Sequence, residues 1–339
     1  MLGFRARWRV VRRPAPASLV RRLALASVVA NTVIVVTGGA VRLTSSGLGC
    51  PTWPGCTDSS YVPTAETAGH GLIEFGNRTL TFVLGLVALA TLVAVVRHRP
   101  RRRPLVRLAA LAFAGIPAQA VLGGITVLTG LNPWTVAGHF LLSMGILATT
   151  LTLWWRMREG TDRQARPTVP PEMLLLGRAL VGVTGAVLVL GTVVTGSGPH
   201  AGDAAAARTG FDPATVSQLH ADAVMLLIGL TVATVLGLRV TGAPAEVRAA
   251  ARTLLWVELG QGLIGFVQYF TGVPVLLVGA HLLGACLVWL AALRVLLPMY
   301  GRGLPPIPTP VGERADAAPA GPHAPAAPAA PTPTAVAGG

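Results

Sequence analysis

The stretch QAVLGGITVLTGLNPWTVAGHFLLS, residues 119–143, consists of two apolar segments on either side of a short turn. A similar stretch, QGLIGFVQYFTGVPVLLVGAHLLGA, occupies residues 261–285. In each stretch a glutamine precedes a lone histidine by 20 residues, Gln119 before His139 and Gln261 before His281. This shared spacing predicts two pairs of membrane helices that are related by an internal repeat.

Apolar segments of this kind continue along most of the chain. Hydrophobic residues make up 52% of it and charged residues only 12%, whereas a soluble domain carries about 25% charged residues. A membrane helix needs about 20 mostly apolar residues. Eight runs meet this requirement, at residues 19–40, 70–96, 105–128, 134–156, 173–195, 216–238, 248–269 and 273–297. The sequence therefore predicts an all-α polytopic membrane protein with eight transmembrane helices.

The repeat divides these helices into two halves. The first and fifth spans end in similar sequences, VVTGGAVR at 35–42 and VVTGSGPH at 193–200. Because each half contains an even number of spans, both halves begin on the same side, which predicts two parallel-repeat four-helix bundles. The predicted organisation is an Arg-rich cytoplasmic arm at 1–18, an N-terminal four-helix half at 19–156, a cytoplasmic linker at 157–172, a C-terminal four-helix half at 173–297, and a disordered Pro- and Ala-rich cytoplasmic tail at 298–339.

The net charge of +14 comes from arginine, since the sequence contains no lysine. Arginines cluster before the first span, in the loops after spans two, four and six, and after the last span. The opposite side has only Arg42 and Arg208, and Arg78 lies inside span two. This positive-inside distribution predicts that both termini are cytoplasmic. It also indicates a lipid bilayer rather than nucleic acid as the partner of the basic chain.

Three histidines stand alone in apolar spans: His139, His220 and His281. They lie at similar depths, near the outer ends of spans four, six and eight. Ionisable residues inside a membrane are costly and usually functional, although a single histidine can instead hydrogen-bond between helices. His220 and His281, on helices of one bundle, can ligate a haem from both faces. Zinc is the alternative metal, but it needs three or four ligands.

The repeat places a fourth residue at the depth of the histidines. Counting back from His139 by nearly the spacing between His220 and His281 leads to Asn77 in span two. Close to it, Glu74 and Arg78 have the separation of a helical ion pair. We interpret Glu74 as a general base or proton relay beside a bound cofactor. A structural Glu74–Arg78 pair is the alternative interpretation.

Two cysteines, Cys50 and Cys56, share the first outer loop in the sequence CPTWPGC. The oxidising environment outside a bacterial membrane favours a disulfide between them. Two unpaired loop thiols are the alternative.

Taken together, these residues resemble the bacterial haem A synthase family. The resemblance covers about residues 19–297. The matching segments are TGGAVRLTSSGLGCPTWPGC (37–56), IEFGNR (73–78), QAVLGGITVLTGLNPW with His139, QLH (218–220) and GAH (279–281).

The resemblance implies an oxidoreductase of the bacterial inner membrane that acts in cytochrome oxidase assembly. Such enzymes oxidise the C8 methyl group of haem O to the formyl group of haem A, with oxygen from water. By resemblance, His220 and His281 are the axial ligands of a haem b cofactor, and the substrate haem lies near His139 and Glu74. Members of the family also carry a cysteine pair in the first outer loop. The expected partners are haem O, a haem O synthase (protohaem farnesyltransferase) and a membrane electron acceptor.

One position departs from the family pattern, because Asn77 stands where span two of the family usually has a histidine. We interpret Asn77 and Arg78 as part of the substrate haem site, with His139 as its single protein ligand. His70, on the same helical face, is the alternative second ligand. Two other functions are considered: a bis-His membrane cytochrome that only transfers electrons, and a transporter.

Overall fold

The computed structural model of the chain describes residues 14–303. Most of these residues belong to eight α-helices of 22 to 30 residues. The helices are α1 (Ala17–Leu43), α2 (Ala68–Arg97), α3 (Arg103–Leu128), α4 (Pro133–Glu159), α5 (Pro171–Ser197), α6 (Pro213–Val240), α7 (Ala245–Phe270) and α8 (Val275–Leu296). Each predicted span coincides with one helix, so the all-α prediction is confirmed. Most of the predicted arm at 1–18 and of the predicted tail at 298–339 lies outside the described residues.

Seven of these eight helices are long and apolar enough to cross a membrane. The other one, α7, has 26 residues and therefore a length of about 39 Å, which suffices for a membrane crossing. It is less apolar because it carries Glu258, Gln261 and Gln268. Large apolar side chains such as those of Phe82 and Leu236 are exposed on the outside of the helices. Exposed apolar surface of this kind fits a multi-pass membrane protein.

The helices form two groups of four with the same order of contacts. In the first group α1 contacts α2, α2 contacts α3, α3 contacts α4, and α4 returns to α1. The helices α5 to α8 repeat this cycle, and α1, α4, α5 and α8 meet between the groups. An apolar cluster that includes Val35, Leu147 and Cys286 fills this central region. Residues 14–303 thus lie within one compact unit, and the proposed repeat relationship between its two groups stays a prediction.

Helix starts follow local sequence signals. Pro133 and Pro213 are the first residues of α4 and α6, where proline needs no hydrogen-bond acceptor. The side chains of Asn132 and Asp212 cap these helices, because each accepts a hydrogen bond from a backbone N–H of the first turn. Residue Gly160 ends α4 in the left-handed conformation. These signals set where α4 and α6 begin, and so how deep their histidines lie.

The segment between the two groups is tied to the helix ends on the side opposite the three histidines. Arg102 donates a hydrogen bond of 2.7 Å to Asp162 and another of 2.9 Å to the carbonyl of Arg156. A short strand β1 (Arg166–Pro167) pairs with β2 (Tyr300–Gly301), which follows a 3₁₀ turn at the end of α8. The predicted linker at 157–172 is therefore held by specific contacts at its start and near its end.

Candidate functional site

Each even-numbered helix directs one side chain at a glycine of the preceding helix. A Cβ added to the glycine would crowd that side chain or touch it. The closest approaches of such a Cβ are 3.2 Å for Gly123 to His139, 3.3 Å for Gly191 to His220, 3.1 Å for Gly265 to His281, and 3.8 Å for Gly38 to Asn77. Because hydrogen is the only side chain at these positions, each imidazole rests directly on the backbone of the neighbouring helix.

The four contacts lie at one depth. Each glycine stands five or six residues before the last residue of its helix, which is about 8 Å from the outer helix end. Asn77 therefore occupies the depth of the three histidines, as the spacing of the sequence predicts. His139, His220 and His281 are the seventh, eighth and seventh residues of their helices.

In the second group, His220 on α6 and His281 on α8 rest on Gly191 of α5 and Gly265 of α7. The Nδ1 atom of His281 is buried and has no hydrogen-bond partner. Gln261 donates a hydrogen bond of 2.8 Å to the carbonyl of His281 and so fixes the backbone of this residue. Its own Oε1 atom is also buried without a partner. The pair thus combines rigid placement with unsatisfied polar atoms.

The two imidazoles fit a haem better than zinc. Imidazole is a common axial ligand of haem iron, and a haem needs no more than two such ligands. Tetrahedral zinc would require further ligands. Within residues 14–303, no group of three or more His, Cys, Asp or Glu side chains is placed to hold a metal ion. The donor set of His220 and His281 therefore suits a planar group bound from its two faces.

The first group has the same framework with a different ligand position. The buried Nδ1 atom of His139 also has no hydrogen-bond partner, and Gln119 donates to the His139 carbonyl at 3.1 Å. On α2, the oxygen of Asn77 accepts a hydrogen bond of 2.8 Å from the Thr37 hydroxyl. This bond turns the Asn77 amide toward α1. Only one imidazole is present at this depth, so the two groups differ in their capacity to ligate a metal.

Glu74 lies one turn before Asn77 and is 5% exposed. Its Oε2 atom accepts a hydrogen bond of 2.7 Å from the backbone N–H of Cys50. Its Oε1 atom accepts from both Nε and Nη2 of Arg78, at 3.1 and 2.5 Å. Both oxygens therefore bind groups that belong to, or contact, the first outer loop. The structural interpretation of the Glu74–Arg78 pair matches these contacts, and the catalytic role of Glu74 stays a prediction.

Arg78 connects this pair to the loop. Its guanidinium donates to the carbonyls of Cys50, Thr52 and Gly55, at 2.9 to 3.1 Å. The loop is also closed by a disulfide between Cys50 and Cys56, so the predicted disulfide is confirmed. The guanidinium and the disulfide together hold residues 50–56 against the outer end of α2.

His70 lies apart from the four contacts with glycine. Its Nδ1 atom is 2.9 Å from the hydroxyl of Ser46, and its ring lines an outer cavity of about 520 Å³ together with Arg208 and Asp203. Seven residues separate it from Asn77, which is about 10 Å along a helix. The geometry therefore places Asn77, rather than His70, at the depth of the three histidines.

The four glycines are the residues that sequence reasoning missed. Their signal is present in the sequence, because Gly123 precedes His139 by 16 residues and Gly265 precedes His281 by the same number. The glutamines stand four residues before these glycines, on the same helical face. Gly191 and Gly38 carry no such signal, since the loops that follow them differ in length.

Comparisons with known proteins identify the family of the chain. A family model described as cytochrome oxidase assembly protein (COX15-CtaA) matches residues 21–293. Curated relatives named heme A synthase include those of Geobacillus kaustophilus, 31% identical over 39% of this chain and 42% of the relative, and Lysinibacillus sphaericus, 35% identical over 38% and 42%. The protein of Symbiobacterium thermophilum is 30% identical over 44% and 51%. The chain thus spans about half the length, or somewhat less, of the curated relatives it matches. Because the family model covers most of its length, the chain belongs to the cytochrome oxidase assembly protein family COX15-CtaA.

Proposed function

We propose that the protein is a haem A synthase, which oxidises the C8 methyl group of haem O to a formyl group. Its relatives named heme A synthase support this assignment. The observation that carries it is a pair of imidazole-bearing sites at one depth in a matched framework. One site has His220 and His281, and the other has His139 with Asn77.

The two sites suit two tasks. Two imidazoles, His220 and His281, would hold a permanent haem b cofactor. Such a group, when bound, supplies one-electron transfer. A single imidazole, His139, leaves one axial position without a protein ligand, and the shorter Asn77 side chain leaves space beside it. The N-terminal site is therefore the one for a substrate that must bind, react and leave.

The reaction needs groups that handle protons. Conversion of a methyl group and one water to a formyl group releases four protons and four electrons, and a redox acceptor in the membrane takes the electrons. We assign Glu74 as a proton acceptor. Its Oε1 is bound by Arg78, whereas Oε2 has the Cys50 N–H as its partner. Because each carboxylate oxygen has two acceptor sites, Oε2 is the atom with capacity for a proton.

The distribution of arginine supports a location of both sites near the outer face of a bacterial cell membrane, with both termini in the cytoplasm. A haem O synthase in the same membrane is the expected source of the substrate, because the farnesyl chain of haem O keeps it in lipid.

Haem extraction after expression tests this proposal. The chain is produced in cells that make haem O but lack their own haem A synthase, and extracted haems are identified by mass. We expect haem A with the unchanged chain, and haem O alone with His220→Ala, His281→Ala or His139→Ala. His98→Ala is the matched control, since this histidine lies at the opposite end of α2, near Ala15.

The same experiment separates an enzyme from an electron carrier. A membrane cytochrome would give a haem spectrum that depends on His220 and His281, but no haem A in any sample. Haem-loaded protein without haem A formation would therefore contradict the proposed activity while leaving the ligand assignment intact.

A further inference from the structure

The first outer loop places a large aromatic side chain on α3. The indole of Trp53 lies on the backbone of Gly124, where a Cβ would come within 2.5 to 2.8 Å of three ring atoms. Contacts this short do not occur in proteins, so any larger residue at position 124 would displace the ring. The indole is nevertheless 39% exposed. Part of it is therefore fixed on α3 while the rest remains open.

The position of this indole relative to His139 follows from the helix geometry. Gly124 is the neighbour of Gly123, on which the imidazole of His139 rests. Consecutive residues of an α-helix differ by 1.5 Å along the axis and by 100° around it. Trp53 and His139 therefore contact α3 at the same level, on adjacent faces. The indole and the imidazole thus contact neighbouring residues of α3, Gly124 and Gly123.

The contacts that hold the loop also hold Trp53. Arg78 binds the carbonyl of the preceding residue, Thr52, and that of Gly55, two residues later. The disulfide closes the loop around the same segment. The backbone on both sides of Trp53 is thus restrained, which lets the indole act as a preorganised surface.

Membrane proteins also use tryptophan as an anchor at the lipid interface. Trp134, at the outer end of α4, has the features of such an anchor: it is 55% exposed and makes an edge contact with Phe211. Trp53 differs because its ring is seated on a glycine and held by a clamped loop. An anchor in lipid requires neither feature.

We propose that Trp53 forms the outer wall of the N-terminal site and packs against the porphyrin of the substrate beside His139. This inference rests on the proposed function, since it assigns the substrate contact of the same site. A flat, rigid aromatic side chain suits contact with a porphyrin, which is itself flat and aromatic. Gly124 is required because it lets the indole approach α3.

Binding and turnover of haem O in the purified chain test this contact. We expect Trp53→Ala to weaken haem O binding and to raise KM about tenfold, with a smaller change in kcat, because the lost aromatic contact acts on binding. Trp53→Phe retains part of the ring, so its KM should lie between those of the unchanged chain and Trp53→Ala. Gly124→Ala keeps the indole but displaces it, and should also raise KM. Trp134→Ala is the matched control and should change KM less than twofold.

Two further measurements separate substrate contact from loop structure. The rate of disulfide reduction in Trp53→Phe should equal that of the unchanged chain if the loop keeps its fold. Haem O should quench the fluorescence of Trp53. The strongly quenched component of the tryptophan fluorescence should therefore be lost in Trp53→Phe and retained in Trp134→Phe.

Equal KM values for the unchanged chain and Trp53→Ala would overturn the inference. Failure of Trp53→Ala to fold would show as loss of the haem spectrum of the C-terminal site. In that case Gly124→Ala is the test, and an unchanged KM in Gly124→Ala would also overturn the inference. Absence of haem A from the unchanged chain would refute the proposed function itself. The two failures are therefore distinguishable.

Discussion

Replacement of Arg78 by glutamine should open the first outer loop without unfolding the helices. Arg78 donates to three loop carbonyls and to Glu74, and its side chain is 21% exposed. Removal of one partner from a largely buried ion pair costs about 3 kcal/mol. Because 1.4 kcal/mol corresponds to a factor of ten, the open population of the loop should rise about a hundredfold.

The disulfide reports this opening directly. Cys50 and Cys56 are fully buried in the closed loop, so a reductant reaches them only when the loop opens. We expect the rate of disulfide reduction in Arg78→Gln to rise about a hundredfold, measured as thiol labelling by mass. Cys286, buried in α8, serves as an internal control, since its labelling requires opening of the helix bundle.

A second arginine provides the matched variant. Arg42 also lies at the outer face, but it donates to the carbonyls of Thr195 and His200, in the second half of the chain. Arg42→Gln should leave disulfide reduction unchanged. The reasoning is refuted if Arg78→Gln reduces at the rate of the unchanged chain, or if Arg42→Gln accelerates reduction to the same extent.

Three other substitutions, one of them with a control variant, test the two sites and one helix cap. Asn77→His places a second imidazole at the depth of His139, as the family pattern does, and should yield a second bis-His haem spectrum without abolishing haem A formation. Gly265→Ala would crowd His281 and should alter the haem spectrum, whereas Gly262→Ala, with open space at that position, should not. The Thr215 hydroxyl and N–H hold the pKa of Asp212 below its ordinary value of 3.8. Asp212→Ala should therefore lower the melting temperature most above pH 4, where Asp212 is ionised in the unchanged chain. The difference in melting temperature should shrink as the pH falls through the lowered pKa.

The helices were predictable because lipid imposes a simple requirement on sequence. Each membrane helix must present about 20 mostly apolar residues, and runs of that length and their polar boundaries are visible without structural information. Helix α7 illustrates the weakest case, since Glu258 and two glutamines interrupt its apolar run. Glu258 is nonetheless buried and accepts a hydrogen bond of 3.0 Å from Thr231.

The positions of His139, His220 and His281 were also predictable, because their depth follows from helix length and boundaries. The hydrogen-bond partners of Glu74 were not predictable. Helical periodicity shows the direction of its side chain, but not that Cys50 and the loop carbonyls fold over it. Irregular loops follow contacts between residues that are distant in sequence, and here the disulfide and Arg78 determine the fold.

The difference between the two groups can be assigned to two features. At the depth of the histidines, side chains of both groups rest on glycines. The two groups differ there in one residue, since the first group has Asn77 where the second has an imidazole. Above that depth, the first group has the long loop 44–64, clamped by Glu74 and Arg78, whereas the second has the loop 198–212, which contains no cysteine. Both differences lie in the first group. Because the family usually has a histidine where this chain has Asn77, the missing ligand alone does not set the task of the first group. The outer loop of this group, closed by the Cys50–Cys56 disulfide and bound by Arg78, is therefore the feature that favours substrate chemistry in the N-terminal half.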